Sequence, residues 1–490
     1  MTTEPPLDTL IIGAGISGIG MAAHLAQECP GKSYAILEQR ENLGGTWDLF
    51  RYPGVRSDSD MYTLGYAFAP WREDRSIAPG ETIRAYLARV AGEHGIAERI
   101  HHGRKVLSAN WDSAAALWRI EAQGPDGPES WSARFLFMGT GYYDYDAAHD
   151  AEIPGLNQFG GAVVHPQFWP DNFDYTGKRA IVIGSGATAV TIVPAMAATA
   201  AHVTMLQRTP TWYISQPAKD GLANALRRMI PEKWAYALIR LRNRLIGQFL
   251  FRRARAKPEE MGDWLKAQVR KELGSAYRAE HFSPPYGPWE QRLCLVPDGD
   301  LFSALRDGSA EIVTGQIASV EPDGVRLTDG RHLPADIIVT ATGLRLASLG
   351  KVALSVNGAP VSLADHFWYR DCMLSNVPNF AVLFGYLNAS WTLRVDIVAN
   401  RLCRLFNQMQ AWGMAVATPV LPADHTLVED SPLDMFSSGY LQRGKHLVPR
   451  SATTAPWRLH MDYAADRREL AEAPIDDGWM AFSRARAPLP

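Results

Sequence analysis

The chain has 490 residues, 47% hydrophobic and 21% charged, which is ordinary for a soluble globular protein of two or three domains. Its formal net charge of −3 argues against nucleic-acid binding, which normally requires a basic excess. The four cysteines lie far apart without a C-x-x-C pair, so we expect reduced thiols, no disulfide framework and no metal site. Residues 10–26 are apolar but lack a basic leader and contain four glycines, so we expect a cytoplasmic protein without a signal peptide.

The first predicted element is an apolar strand, Thr9–Ile12, which runs into a G-x-G-x-x-G pattern and then an Ala-rich helix. In this pattern Gly13 permits a tight turn, Gly15 lets the backbone approach a pyrophosphate, and Gly18 lets helix and strand pack closely. Glu38 follows the next predicted strand, 20 residues after Gly18, where an acid accepts hydrogen bonds from ribose hydroxyls. The combination predicts a dinucleotide site at the edge of a doubly wound sheet.

A second run of special residues follows this site. The paired glycines at 44 and 45 let the backbone lie near a flat cofactor, and Trp47 offers a flat apolar wall, although core packing is an equal alternative for this tryptophan. Asp58 places a negative charge on a turn that Pro53 stiffens. We therefore include this run in the predicted site.

A second dinucleotide pattern follows the predicted strand Ala180–Ile183, with alanine in the third position, an allowed form of the motif. Where the first site has an acid, this one has Arg208, whose guanidinium suits a 2′-phosphate. The site should therefore prefer NADPH to NADH, unless Arg208 is only a surface arginine. Its predicted contacts are Gly184, Gly186, Thr188, Ala189, Arg208 and Thr209.

Residues 216–290 differ in composition from the rest of the chain. Residues 234–257 carry seven Arg or Lys among Leu, Ile and Phe, which predicts a basic amphipathic helix. Such a helix could make weak contact with a membrane surface or bind an acidic partner. We favour the alternative of an inserted helical subdomain whose arginines form a solvated face.

Residues 159–170 read F-x-G-x-x-x-H-x-x-x-W-P, which resembles the signature of the type I Baeyer–Villiger monooxygenases. Residues 44–58 match a second pattern of that family, [AG]-G-x-W-x-x-x-x-[FY]-P-G-x-x-x-D. Residues 51–65 and 388–393 resemble the ethionamide-activating branch, and the likeness covers almost the whole chain.

The resemblance implies an α/β fold with two doubly wound Rossmann-like domains, one for FAD and one for NADPH, and an inserted helical subdomain. We expect the FAD domain to be interrupted by the NADPH domain. The expected ranges are 1–151 (FAD), 152–215 (NADPH), 216–290 (helical insertion), 291–345 (NADPH) and 346–490 (FAD and C-terminal region).

The resemblance also implies an activity, in which one oxygen atom of O2 is inserted beside a ketone carbonyl through a peroxide on flavin C4a. The product is an ester or lactone, and sulfides are further substrates. Arg292 resembles the family's catalytic arginine, and Asp58 the aspartate that orients it. Many relatives have lysine before this arginine; here Gln291 stands there, so NADPH selectivity would depend on Arg208 alone.

Other positions take expected roles from the same resemblance. Those near FAD are Gly13, Gly15, Gly18, Glu38, Gly45, Thr46, Trp47, Asp58, Tyr62, Thr342 and Gly343, with Asp336 as support. Those of the connecting signature are Gly161, His165 and Trp169. For His165 we prefer a hinge role to direct proton transfer.

Three rival hypotheses remain. A flavin-containing N- or S-monooxygenase would use a protonated hydroperoxyflavin, but its version of the connecting signature usually ends in tyrosine rather than Trp169-Pro170. A flavin disulfide reductase needs a redox cysteine pair, which the sequence lacks. A non-catalytic dinucleotide-binding protein would not need Asp58 or Arg292.

Overall fold

The computed structural model describes residues 5–291 and 293–485, except for the side chains of Met435 and Tyr440. Within these residues the chain forms two large sheets, here called the first and the second sheet, and a helical insertion. The predicted fold class, two Rossmann-like domains with an inserted helical subdomain, is confirmed.

The first sheet has nine strands in the described residues, and its centre is parallel because Leu7–Ile12 lies between Tyr34–Leu37 and Gly127–Met138. The middle strand is almost completely buried, as expected where helices cover both faces of a parallel sheet. In order across the sheet the strands are Ala359–Pro360, Ala353–Val356, Lys105–Asp112, Leu117–Gly124, Gly127–Met138, Leu7–Ile12, Tyr34–Leu37 and Ile100–His101, with Phe380–Val382 beside Gly127–Met138. Helices Ile16–Glu28 and Thr392–Trp412 pack against each other in the core of this sheet.

The second sheet has five parallel strands in the part of the chain described. In order they are Ala310–Thr314, His202–Gln207, Arg179–Ile183, Ile337–Thr340 and Ala162–Val164. Helix Ala187–Ala197 follows the central strand and buries its apolar side chains on the sheet. All of these strands come from a stretch of chain between the two groups of first-sheet strands, so the second sheet interrupts the first in sequence.

Two connections join the sheets and run side by side. Residues 139–146 leave the first sheet, and residues 341–352 return to it. The backbone amide of Asp144 donates to the Arg345 carbonyl at 2.9 Å, and that of Ala347 donates to the Tyr142 carbonyl at 3.1 Å. The two connections therefore form one hydrogen-bonded bridge.

The insertion consists of helices Gly221–Met229, Glu232–Ala256 and Pro258–Leu273. Its ends are held together by strands Tyr213–Gln216 and Cys294–Pro297, which pair in parallel. The expectation of a solvated arginine face is wrong for the middle of the long helix. There Arg240 is largely buried and binds Asp396, and Arg242 binds Asp220.

The remaining elements are shorter or lie at the edges. The other helices are Thr46–Leu49, Met61–Leu64, Gly80–Glu93, Asp300–Asp307, Gly439–Gly444 and Tyr463–Asp466. The other strands are Ile317–Glu321, Gly324–Leu327, His332–Pro334, Trp368–Tyr369, Met373–Leu374, Val416–Pro419 and Met480–Ser483. In the described residues, we find no helix with the length and apolar character that crossing a membrane requires.

Candidate functional site

A cavity of about 1120 Å³ lies between the two sheets and is lined by both glycine loops. Single small-ligand sites measure about 300–1,000 Å³, so this space is generous for one ligand. The predicted site residues on its wall are Gly13, Gly15, Glu38, Gly45, Thr46, Trp47, Asp58, Gly184, Gly186, Thr188, Arg208, Thr209, Thr342 and Gly343. The fold thus brings both predicted dinucleotide sites into one space.

The first glycine loop approaches a second loop closely. Gly13 has φ +98°, and a Cβ there would lie 2.8 Å from the Gly139 carbonyl oxygen, so the turn requires glycine. A Cβ on Gly45 would lie 3.0 Å from the Cα of Gly15. The two bare backbones form a cradle without side chains, and Trp47 lies beside it on the cavity wall.

Glu38 is buried at the end of the strand Tyr34–Leu37 and lines the same cradle. Its two carboxylate oxygens accept hydrogen bonds from the backbone amides of Ala14, at 2.7 Å, and Arg40, at 2.9 Å. Burial raises the pKa of Glu38, and the two amides oppose this shift. The acid therefore has the position expected of a ribose-binding carboxylate.

The segment 52–58 crosses from the first sheet to the helix of the second. Gly54 has φ +77°, and a Cβ there would lie 2.9 Å from the Thr191 carbonyl oxygen in that helix. The Tyr52 hydroxyl bonds Thr188, and burial raises the pKa of Tyr52 to about 12. Arg56 forms an ion pair with Asp300. These contacts hold Asp58 on the cavity wall.

The second glycine loop repeats the geometry of the first. Gly184 has φ +139°, and a Cβ there would lie 2.3 Å from the Ala341 carbonyl oxygen. Gly186 has open space where a side chain would start, and it lines the cavity. The Ser185 hydroxyl donates to the Thr209 carbonyl at 2.9 Å, which fixes the loop against the turn that carries exposed Arg208.

Four predicted contacts lie away from the cavity wall. Gly18 and Ala189 are buried where each helix packs on its sheet, which is the packing role expected of Gly18. Tyr62 is buried in the first-sheet core with its ring near Tyr236, so the structure does not bring it to the cradle. Asp336 is at the opposite end of the strand Ile337–Thr340 from the cavity.

At that end of the strand, Asp336 forms an ion pair with Arg179 at 2.9 Å. Hydrogen bonds from the Arg179 side chain and backbone lower the pKa of Asp336 to about 2. Its expected support of FAD is therefore not what the structure shows. Thr342, two residues beyond the strand, is on the cavity wall, and its buried hydroxyl has no hydrogen-bond partner among the described residues.

The connecting signature, residues 159–170, does not line the cavity. A Cβ on Gly161 would lie 2.3 Å from the Asp336 carbonyl oxygen, and Trp169 packs against Phe173 and Tyr175. The His165 ring accepts a hydrogen bond from the backbone amide of Gln167 at 3.1 Å. Burial lowers the pKa of His165, so the ring is neutral near pH 7.

Gln167 was missed by sequence reasoning, although it is within the signature. Its side-chain amide is buried and donates to the Asp144 carbonyl at 2.7 Å. Since Asp144 belongs to the bridge between the sheets, the signature braces the connection rather than the cavity. The hinge role of His165 stays a prediction.

Arg292 lies outside the residues that the structure describes. Its neighbour Gln291 is on the cavity wall, close in sequence to the strand Cys294–Pro297. The position expected to carry the catalytic guanidinium therefore follows directly after a cavity residue.

Sequence reasoning missed an aromatic part of the wall. Tyr142 stacks on Trp391, with ring centroids 5.4 Å apart, and its hydroxyl lies 2.9 Å from that of Tyr143. The Trp391 indole donates to Ser17 at 2.8 Å. The strand end at Met138 was a usable signal, because ligands collect at the carboxyl ends of parallel strands.

A family model described as pyridine nucleotide-disulphide oxidoreductase matches residues 10–232. The chain is 47% identical to a Mycobacterium tuberculosis protein named MymA, over 98% of both chains. It is 44% identical to the FAD-containing monooxygenase EthA of Mycobacterium tuberculosis, over 99% of both chains.

Solved structures share the fold. An oxidised steroid monooxygenase bound to NADP superposes with a TM-score of 0.76 at 22% identity, over 98% of this chain and 100% of that one. OTEMO in complex with FAD and NADP gives 0.74 at 22% identity with the same coverage. The paired glycine loops and the full-length identity to EthA lead to one conclusion: the chain belongs to the FAD-containing monooxygenases and is an oxidoreductase.

Proposed function

We propose that this chain is an NADPH-dependent monooxygenase of the Baeyer–Villiger type, with FAD as its resident cofactor. It inserts one oxygen atom of O2 beside a ketone carbonyl to give an ester or lactone, and it oxidises sulfides as a side activity. The observation that carries the proposal is the single cavity lined by both glycine loops. Electron transfer between two dinucleotides needs both of them in one space.

The first loop fits FAD. Gly15 and Gly45 present bare backbone, and Glu38 is placed for a ribose hydroxyl at the end of the cradle. Burial raises the pKa of Tyr145, and its hydroxyl bonds Thr46 on the same wall. The buried Thr342 hydroxyl is a further donor available to the cofactor.

The second loop fits NADPH. Gly186 leaves room for a pyrophosphate next to the helix Ala187–Ala197, whose first amides are available to an anion. Arg208 is exposed on the wall, where its guanidinium can pair with a 2′-phosphate. Gln291 adds no charge there, so Arg208 carries the preference for NADPH.

When bound, FAD supplies the transfer of electrons from NADPH to O2. The protein contributes charged groups, orients the reacting groups and excludes water from the site. We assign Asp58 to orienting the Arg292 guanidinium, and Arg292 to stabilising the negative charge that develops on the substrate carbonyl oxygen. The stacked Tyr142 and Trp391 exclude water from their part of the wall.

We place this activity in the cytoplasm. The four cysteines all lie in the described part of the chain, are buried and form no disulfide, as is usual in a reducing compartment.

The test offers the purified FAD-loaded protein NADPH, air, a long-chain methyl ketone and an aryl methyl sulfide together. Ester from the ketone supports the proposal, whereas sulfoxide with no ester across several ketones contradicts it and favours the N- or S-monooxygenase. Arg292→Ala should keep FAD and its reduction by NADPH but lose ester formation. Full ester yield from that variant would remove Arg292 from the mechanism.

A further inference from the structure

The long helix of the insertion, Glu232–Ala256, exposes a row of large apolar side chains. The row, here called the apolar ridge, consists of Trp234, Leu238, Leu241, Leu245 and Phe249, which are 44–68% exposed. Their spacing of four, three, four and four residues places them on one line along the helix. Exposed apolar side chains scattered singly are common, but a contiguous row marks an interaction surface.

The ridge faces outward because the other side of the helix is fixed to the body of the protein. Arg240 donates to the Gly65 carbonyl at 2.6 Å and to Asp396 at 2.9 Å. Asn243 donates to Asp60 at 2.8 Å, and the guanidinium of Arg244 lies over the ring of Tyr463. These partly buried contacts fix the opposite face of the helix to the protein and leave the ridge on the surface.

The ridge lies in the most basic part of the chain. Residues 221–257 contain ten Lys or Arg and one Glu, although the whole chain has a net charge of −3. At about 100° per residue, Lys233 and Arg255 flank the ridge on one side and Arg253 on the other. All three are exposed.

We propose that the apolar ridge is a docking surface for anionic lipid, on which the helix lies parallel to the membrane plane. The apolar row enters the boundary between headgroups and acyl chains, and the flanking cations meet lipid phosphates. Within the 25-residue helix the apolar ridge runs from residue 234 to residue 249, which gives a contact line about 22 Å long. A second copy of this chain fits less well, because it would bring the same basic segment against itself.

This attachment would join the lipid surface to the cavity by a short path. Asp60, which holds Asn243 of the ridge helix, is two residues from Asp58 on the cavity wall. The inference does not rest on the proposed reaction, since its readout is binding to vesicles rather than turnover.

The test is cosedimentation of the full-length, FAD-loaded protein with vesicles of phosphatidylcholine alone or of phosphatidylcholine and phosphatidylglycerol in equal parts. We expect binding to the anionic vesicles and at least tenfold weaker binding for the double variant Leu241→Gln/Leu245→Gln. The matched control is Leu107→Gln/Val428→Gln, which changes two apolar residues that are 50% and 65% exposed elsewhere. It should bind like the wild type.

Three results would overturn the proposal. The first is no binding of the wild type to anionic vesicles, and the second is equal loss in the ridge and control variants. The third is a wild-type dimer in light scattering that the ridge variant dissociates, which would assign the ridge to a second copy of the chain. Trp234→Ser/Phe249→Ser, at the two ends of the ridge, gives an independent check with the same expected loss.

Discussion

The Glu38 carboxylate accepts a 2.7 Å hydrogen bond from the backbone amide of Ala14 and so ties the end of one parallel strand to the glycine turn after its neighbour. Its other oxygen accepts from the amide of Arg40. An ionised carboxylate has about four acceptor positions, so two amides leave capacity for a ribose hydroxyl. This single side chain both shapes the cradle and offers an acceptor to its ligand.

Glu38→Gln should weaken FAD binding about tenfold, since a charge-assisted hydrogen bond contributes about 1.5–3 kcal/mol. The glutamine has one acceptor oxygen, so either the amide of Ala14 or that of Arg40 would face an NH2 group. The measurement is the Kd of FAD for the apoprotein by fluorescence titration. Glu41→Gln, at a nearby exposed position, is the control, and equal affinities for both variants would refute the role of Glu38.

Gly186→Ala should fold normally but bind NADPH about tenfold more weakly. The backbone there has φ −78°, which alanine adopts freely, and the added Cβ meets no atom within 4 Å. The methyl group would occupy part of the cavity edge, and overpacking of this kind costs about 1–3 kcal/mol. Thermal unfolding and the KM for NADPH check the two halves of the prediction.

Gly184→Ala is the informative contrast, because its Cβ would clash with the Ala341 carbonyl oxygen and should lower stability itself. Gly92→Ala, in a helix with open space around it, should leave the KM for NADPH unchanged and should not lower stability. An unchanged KM for Gly186→Ala would mean that the loop does not hold the nucleotide.

Arg208→Gln should lower kcat/KM for NADPH at least tenfold and leave the value for NADH nearly unchanged. A guanidinium–phosphate pair contributes about 1.5–3 kcal/mol to binding. NADH has no 2′-phosphate, so it does not form this pair and loses nothing in the variant. Arg331→Gln, which removes a surface arginine bound to Asp329, is the control. A parallel decrease for both nucleotides would show that Arg208 supports the loop rather than the phosphate.

His24 should make stability depend on pH. Burial opposes its charge, but hydrogen bonds to Asp396 and Glu28 prevail and raise the pKa of His24 from 6.5 to about 9. Because the folded-state pKa is raised, the stabilisation is complete below pH 6.5 and is lost as the pH rises through 9. Relative to wild type, His24→Gln should thus be least stable near pH 6.

Urea unfolding at pH 6 and pH 10 measures this difference. A stability gap that is the same at both pH values would contradict the raised pKa. Arg240 also binds Asp396 and does not titrate in this range, so it serves as a fixed background charge.

Sequence patterns predicted the parts of the fold that are determined by residues close together in the chain. The glycines at 13 and 184 need positive φ or close approach, and both requirements are visible in the strand–glycine–helix order. Tyr62 and Asp336 could not be placed in this way. Tyr62 packs against a helix that begins 170 residues later in the chain. Asp336 precedes the strand Ile337–Thr340, and only the direction of that strand in the sheet places Asp336 at the end away from the cavity.

The long helix shows a similar limit. Its sequence predicts amphipathicity but not which face the body covers, because the deciding partners of Arg240 are Asp396 and the carbonyls near Gly65. The hydrogen bond between Tyr142 and Ala347 likewise joins residues about 200 positions apart, and neither residue belongs to a predicted motif.

The most direct test of the central claim is turnover of a long-chain methyl ketone with NADPH under ¹⁸O2, with mass spectrometry of the product. We predict an ester that carries one ¹⁸O atom in its bridging position and none in its carbonyl. Hydrogen peroxide as the sole labelled product with every ketone offered, or an ester whose bridging oxygen is unlabelled, would contradict the proposed oxygen insertion.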